Sequence, residues 1–345
     1  MRKRFKLTIP TLLFAVLLIV TFSSCNGGGN DDIVDLPEES ETPETPETPE
    51  EPAAPQYEWS SYAVPASAGT GNVWQLQDQS DEFQYTAEAS NKGTEFDAKW
   101  TDFYHNAWTG PSPTLWQHDH SLVADSYLKI KTSRVDGETT SISGANGSIV
   151  TKVTRTGCVT SKTRVVYPVY IEARVKIMNS VLASDVWLLS ADDTQEIDIC
   201  EAYGSDRYTN EWFGPKRVHL SHHVFIRDPF QDWQPSDAGS FYTDGTTIWR
   251  NDFHRIGVYW KDPWTLEYYV DGVKVRTRSG AAEIDPNNYT NGEGLSKEMD
   301  IIINTEDQTW RAYQGLTPTD EELTNEANNT FLVDWIRIYK PIAEN

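Results

Sequence analysis

The chain has 345 residues, with 29 Lys plus Arg against 52 Asp plus Glu, and a formal net charge of −23. A surplus of carboxylates on that scale excludes nucleic acid and anionic membrane surfaces as partners, because both carry the same sign. Three cysteines are too few for a disulfide framework.

The first element in chain order reads as an export signal. Arg2, Lys3, Arg4 and Lys6 precede an apolar run from Leu7 to Phe22 that is interrupted by Pro10. A membrane span needs about 20 apolar residues, so a signal peptide is the better reading. Ser23-Ser24-Cys25 closes the run like a bacterial lipobox. Residues 1–25 are therefore expected to be a lipoprotein signal peptide, with Cys25 lipidated as the mature N-terminus. Residues 26–56 form the second element. Ten acids lie between Asp31 and Glu51 with no Lys or Arg, and Glu-Thr-Pro recurs from Glu41 to Pro49. Such a stretch buries too little to offset the entropy of ordering, and proline with self-repelling carboxylates keeps it extended. It reads as a tether. The protein is expected to be exported and lipid-anchored at the bacterial cell surface, on the outer membrane, meeting the membrane only through its lipid.

Residues 57–345 are long enough for one large domain. Taking away the four signal cations and ten linker acids leaves that domain at −17. Its pattern is all-β. Leu128 and Ile130 alternate with Lys129 and Lys131. From Val169 to Ile177, Ile171, Ala173, Val175 and Ile177 alternate with Glu172, Arg174 and Lys176, which predicts one buried face and one wet face. Further strands are expected at Ile256–Trp260, Met299–Asn304 and Phe331–Tyr339. Leu266–Val270 and Val273–Arg276, joined by Asp271-Gly272, predict a hairpin with a two-residue turn. The one helix expected starts near Thr319, where Glu322 completes a capping box. Many strands with turn signals indicate a sandwich or jelly roll. Cys158 and Cys200 read as two separate buried thiols. The 13 tryptophans exceed what a core needs, and pyranose rings present C–H faces that stack on flat aromatics.

The segment Gln195-Glu-Ile-Asp-Ile-Cys-Glu-Ala-Tyr203 carries the chemistry. Glu196 and Asp198 share one face of a strand, with Ile197 and Ile199 on the other. Strict alternation would drive Glu201 into the core, which is very costly for an unpaired carboxylate. A β-bulge near Ile199-Cys200 returns it to the acidic face. Three acids on one face raise at least one pKa, and cleavage of a glycoside needs one ionised and one protonated carboxyl. Spacing alone leaves an exposed acidic strand as the alternative. His219 and His223 share a strand face while His222 takes the other, a poor geometry for a metal held by all three. Glu283-Ile-Asp-Pro286 echoes part of the acidic signature, but Pro286 removes a ladder donor, so it is expected in a loop.

Glu196-Ile-Asp-Ile-Cys-Glu201 resembles the bulged E-x-D-x-x-E signature of glycoside hydrolase family 16. Trp100–Pro111, Trp187–Ser190, His219–Gln231, Gly257–Trp264 and Ile302–Trp310 are similar to its β-agarase branch, and porphyranases share parts of them. The resemblance implies a concanavalin A-like β-jelly roll with a concave cleft and a retaining, endo-acting mechanism on β-1,4 linkages of an agar-type galactan. It implies Glu196 as nucleophile, Glu201 as acid/base and Asp198 as the group that tunes the nucleophile. It further implies Trp108 and Trp187 as sugar platforms, Arg227 and Glu306 as ligands for galactan hydroxyls, and His222 on the cleft wall. Cys200 stands where an aliphatic residue is expected, and should face away from substrate. No cofactor is implied for catalysis; a structural calcium is, with Asp81 or Asp334 offering oxygens. A monomer is expected. The alternatives are a porphyranase acting on sulfated galactan and a non-catalytic surface glycan-binding protein.

Overall fold

A computed structural model describes residues 62–344. The signal peptide at 1–25 with Cys25, the tether at 26–56 and the domain start at 57 lie outside the described residues.

The alternating segments form strands of two facing sheets. The inner sheet runs, edge to edge, through Phe230–Trp233, Val218–Arg227, Gln195–Ala202, Ala183–Ser190, Met299–Glu306, Cys158–Ser161 and Trp100–Thr101. The outer sheet runs through Val273–Ser279, Thr265–Val270, His254–Asp262, Val169–Lys176, Thr330–Ala343, Tyr127–Ser133, Thr154–Thr156 and Thr114–Trp116. Neighbours are antiparallel except Thr114–Trp116 on Thr154–Thr156. Val, Ile and Leu side chains from both inner faces make one core. This is the jelly-roll sandwich expected. Trp100, Trp116, Trp260 and Trp335 are fully buried, so part of the tryptophan surplus is core.

The second face of Val169–Lys176 is not wet. Tyr170 and Glu172 are buried as deeply as their inward neighbours. Strand Asn72–Leu76 pairs with Thr330–Ala343 and carries Trp74 over that face, 6.0 Å from the Tyr170 ring and 5.1 Å from Tyr259. Glu172 accepts the Tyr170 hydroxyl at 3.0 Å and faces Arg255 at 3.7 Å. The Asp271-Gly272 hairpin forms as expected, with φ of 48° and 81° at its two turn residues; its turn twist matches that of the strands.

The capping box at Thr319 also forms. The Glu322 amide donates to Thr319 Oγ1 at 3.1 Å, and the Thr319 amide donates to Glu322 Oε2 at 2.7 Å. Beyond the box the chain makes a 3-10 turn at Glu322–Thr324 and a single α turn at Glu326–Asn329. The longest described helix is elsewhere, at Gly93–Lys99, where seven residues and one buried side chain, Phe96, leave almost no periodicity to read. Glu283 and Ile284 end a helical turn, and Asp285 accepts from the amides of Tyr289 and Thr290, so the echo of the acidic signature sits in a loop. Cys158 and Cys200 are free buried thiols.

The residues suggested for calcium do not fit it. Asp81 is buried and spends its oxygens on the Phe83 amide at 3.0 Å, the Tyr85 hydroxyl at 2.9 Å and the Trp100 indole at 2.8 Å. Asp334 is held by Arg174 at 2.5 Å. Asp81 instead ties the chain after Leu76 to Trp100. Asp81→Asn should therefore lower stability by about 2–4 kcal/mol, because an amide N–H would face a buried donor. A thermal melt checks this; an unchanged transition would show that the three donors contribute nothing.

Candidate active site

The central strand Gln195–Ala202 lies between Ala183–Ser190 and Val218–Arg227. Its register fixes the acidic face. Asp198 pairs with Trp187 on one side, and the next pairs are Cys200 with Val186 and Glu201 with Asp185. On the other side Asp198 pairs with Ser221 and Glu201 with His219, so two residues, Ile199 and Cys200, stand opposite one, Leu220. Ile199 is the inserted residue, and the bulge stands where the spacing required it. Ile197 and Ile199 are fully buried in the core. Cys200 is opposite Val186 and belongs to the core, though at the bulge it also borders the cleft, so it does not face wholly away.

Glu196, Asp198 and Glu201 line one cleft of about 840 Å3, room for more than one sugar ring. Trp108, Trp187, Arg227 and Glu306 line it too. Trp108 is 47 % exposed and stands edge-on to Tyr104 and Trp116, an open platform. Trp187 is only 9 % exposed, and its indole donates to Asn304 Oδ1 at 2.6 Å, so it is floor rather than platform. Arg227 lies 4.2 Å over the Phe225 ring at one end. His222 is not on the cleft wall. It is 0 % exposed, beneath the sheet, with Nε2 3.1 Å from the Ile284 carbonyl oxygen. Strand alternation explains the miss: the cleft-facing histidines are His219 and His223.

These two histidines are the imidazoles that face the acids of the site. His219 Nδ1 donates to Glu201 Oε2 at 2.5 Å. His223 Nδ1 donates to Asp232 at 2.8 Å, and its Nε2 is 3.8 Å from Glu196 and 3.6 Å from Asp198. Tyr203 and Gln308 were also unforeseen. The Tyr203 hydroxyl donates to Glu201 Oε1, and Gln308 Nε2 does so at 3.1 Å. On the next strand Asn304 Nδ2 donates to Asp185 at 3.2 Å and to Glu306 at 3.1 Å. Trp310, 41 % exposed, and Phe213 extend the wall beyond Glu201.

Burial would raise the Glu201 carboxyl, but His219 beside it and bonds from His219, Tyr203 and Gln308 hold it down at about 2. Burial and the Asp198 charge push Glu196 well above the usual carboxylate range, with His223 opposing them. Asp198 is raised by burial as well, against the pull of His223. Burial lowers His223, yet Glu196, Asp232 and Asp198 carry it up to about 10. Glu306 rises to about 8 through burial and the Glu201 charge. The arrangement thus supplies an ionised carboxyl and a proton-bearing carboxyl pair on one wall, the charge asymmetry that acetal cleavage requires. Glu196, Asp198 and His223 also lie within metal-ligand reach of one another. With its ring pKa raised to about 10 by these acids, His223 is their counter-charge.

Comparison with known proteins points the same way. Residues 74–341 match the family model described as "Beta-porphyranase A-D, GH16 domain". A β-agarase of Phocaeicola plebeius is 62% identical over 291 residues, covering 84% of this chain and 92% of that protein. β-Agarase B of Zobellia galactanivorans is 57% identical over 311 residues, covering 84% of each. The solved structure of an inactivated mutant of β-agarase B in complex with agaro-octaose superposes with a TM-score of 0.76 at 56% identity, covering 83% of this chain and 100% of that one. A β-porphyranase E of Zobellia galactanivorans is more distant, at 26% identity over 67% of this chain and 77% of that protein. On the bulged acidic strand, the cleft it faces and these matches, the chain belongs to glycoside hydrolase family 16.

Proposed function

We propose that this protein is a retaining, endo-acting β-agarase that cleaves β-1,4 linkages in agarose. The observation that carries the reading is the register: the bulge at Ile199 puts Glu196 and Glu201 on one face of one cleft. The β-agarases 62% and 57% identical to this chain support the substrate. The cleft lining continues past Glu196 through Phe225, Arg227 and Phe230, and past Glu201 through Phe213 and Trp310. A polysaccharide can therefore run through in both directions, which suits internal cleavage.

In this reading Glu196 attacks the anomeric carbon while the departing oxygen takes a proton from Glu201. Water then attacks the glycosyl-enzyme, giving its proton to Glu201 and releasing Glu196. The resting charges are arranged the other way, with Glu201 ionised and protons favoured on Glu196 and Asp198. Two short moves correct this. His219 Nδ1 contacts Glu201 Oε2, and this contact is the route by which a proton reaches the carboxyl that must act as acid. Asp198 keeps the proton that it and Glu196 compete for, and its buried Oδ2 makes no hydrogen bond within the protein. Glu196 is then the anion, stabilised by the His223 imidazolium.

Glu196→Gln and Glu201→Gln should each lower kcat by a factor on the order of 10³ or more while agaro-oligosaccharide still binds. Near-normal turnover in either variant would remove that residue from its role, and inverted configuration in the first product would remove the nucleophile.

Charge favours neutral agarose over sulfated galactan. Among the described residues lining the cleft, Arg227 is the one Arg or Lys. Arg207 is bound to Glu322 and Arg217 to the Phe241 carbonyl, away from it. Repeated sulfates would call for several guanidinium partners. The family model's porphyranase description keeps porphyran as the second reading. kcat/KM should be higher on agarose than on porphyran at both low and high ionic strength. A higher value on porphyran would overturn the preference.

We also propose that the chain is exported and held at the outer membrane through lipid on Cys25, as a monomer. The basic start, apolar run and Ser23-Ser24-Cys25 support this. Cys25→Ala should release the protein into the soluble fraction or block its maturation, since stable anchoring needs more than one acyl chain. Unchanged membrane association would sink the lipid assignment.

A further inference from the structure

At one end of the cleft a charge cluster is centred on a buried histidine, and one of its members, Asp193, itself lines the cleft. His105 has a side chain 7 % exposed, and both ring nitrogens face carboxylates. Nε2 is 2.7 Å from Asp193 Oδ1 and Nδ1 is 3.1 Å from Asp300 Oδ2. The other Asp300 oxygen accepts from Arg164 Nε at 3.0 Å. A neutral imidazole has one N–H and one lone pair, so in this geometry its lone pair would point at a carboxylate oxygen. Only the doubly protonated ring satisfies both contacts. The four groups then balance as two cations and two anions, with the Tyr104 hydroxyl the remaining titratable neighbour, 3.4 Å from Asp193.

The two carboxylates are fixed points. Asp300 opposes Leu189 in the inner sheet. Asp193 sits in the turn between the two central strands with φ of 57°. Asp192 beside it is bound to Ser190 and Thr194 at 2.8 Å and to Lys297 at 2.5 Å, which anchors the turn. His105 belongs instead to the loop that carries the sugar platform. Its neighbour Tyr104 stacks 5.0 Å from Trp116 and 6.2 Å from Trp187, and meets Trp108 edge-on at 5.4 Å. Asn106 Oδ1 accepts the Trp108 amide at 2.7 Å. The imidazole is thus a polar tie between a loop that presents aromatic surface and the end of the sheet that presents the acids.

We propose that His105, clamped between Asp193 and Asp300, is a positioning residue that sets the affinity of the cleft for its sugar chain by holding the Trp108 loop against the catalytic sheet. The proposal rests on the agarase reading for its substrate. It acts on binding, because the tie is made equally in the free and reacting states. It also carries a pH dependence. Burial alone would lower the ring's proton affinity, but Asp300 and Asp193 more than reverse that and hold it above the ordinary imidazole value. The clamp is complete below pH about 6.5, persists above it, and loosens as pH rises through the raised value.

The test measures kcat and KM on an agaro-oligosaccharide across neutral to alkaline pH for the full chain, His105→Gln and Asp193→Asn. His105→Gln should raise KM roughly tenfold with kcat within about twofold, the signature of lost uniform binding. Wild-type KM should climb toward alkaline pH, and the His105→Gln variant should lack that climb. Asp193→Asn changes a turn residue whose side chain is 32 % exposed, and should move KM in the same direction by less. If His105→Gln does not fold, Asp193→Asn decides alone. Unchanged KM in the variants, or a fall in kcat at constant KM, would overturn the proposal. A wild type inert on agaro-oligosaccharide would overturn the agarase reading instead, and the three proteins would then be compared on the porphyran oligosaccharide that it cuts.

Discussion

Five carboxyls, from Asp185, Glu196, Asp198, Glu201 and Glu306, share one wall of one cleft, and their mutual repulsion is the constraint around which the site is built. Such a crowd is tolerable only when charges are removed or answered. The protein does both. His219 with Tyr203 and Gln308 answers Glu201, while His223, backed by Asp232, answers Glu196 and Asp198. Protons answer the rest, since burial and like charge raise Asp185 and Glu306. The result is a cluster in which the location of each proton is set by its neighbours.

The acidic strand was legible because the inserted residue leaves a mark in the sequence. Three acids at positions 196, 198 and 201 cannot share a face without it, and burying Glu201 would be costly enough to exclude the alternative. The histidines were legible by the same rule, which sets His219 and His223 apart from His222. Placing His222 in the cleft came from resemblance, which carries residue types across chains without their parity. Alternation says which residues share a face, not what covers that face. Glu172 was therefore expected on the wet face, although Trp74, from a strand far upstream in sequence, covers the adjacent Tyr170, and Glu172 itself is met by Tyr170 and Arg255. Asp81 illustrates a related limit: a lone acid in a sequence does not reveal whether indole, hydroxyl and amide donors or a cation will meet it.

The family model and the curated relatives include agarases and porphyranases within one fold. The cleft wall is rich in acids, and the one guanidinium among its described lining residues is stacked on Phe225. The same aromatic surfaces that suit sugar C–H faces also hold that cation in place. Tyr104, Phe213, Phe225 and Trp310 contribute area without charge, which matches a long neutral chain bound through many weak contacts.

The placement of the tryptophans gives the protein an optical property. Trp100, Trp116, Trp260 and Trp335 are sealed in the sandwich, where the indole environment is dry and constant. Trp108 and Trp310, both more than two-fifths exposed, stand in the cleft wall on water. Ultraviolet emission therefore includes a blue-shifted contribution from the first group and a red-shifted one from the second, with half-buried indoles such as Trp212, Trp233 and Trp264 between them. A ring settling on either exposed indole removes its water and shifts that contribution to the blue, so occupancy of the cleft can be followed in the untagged protein by colour.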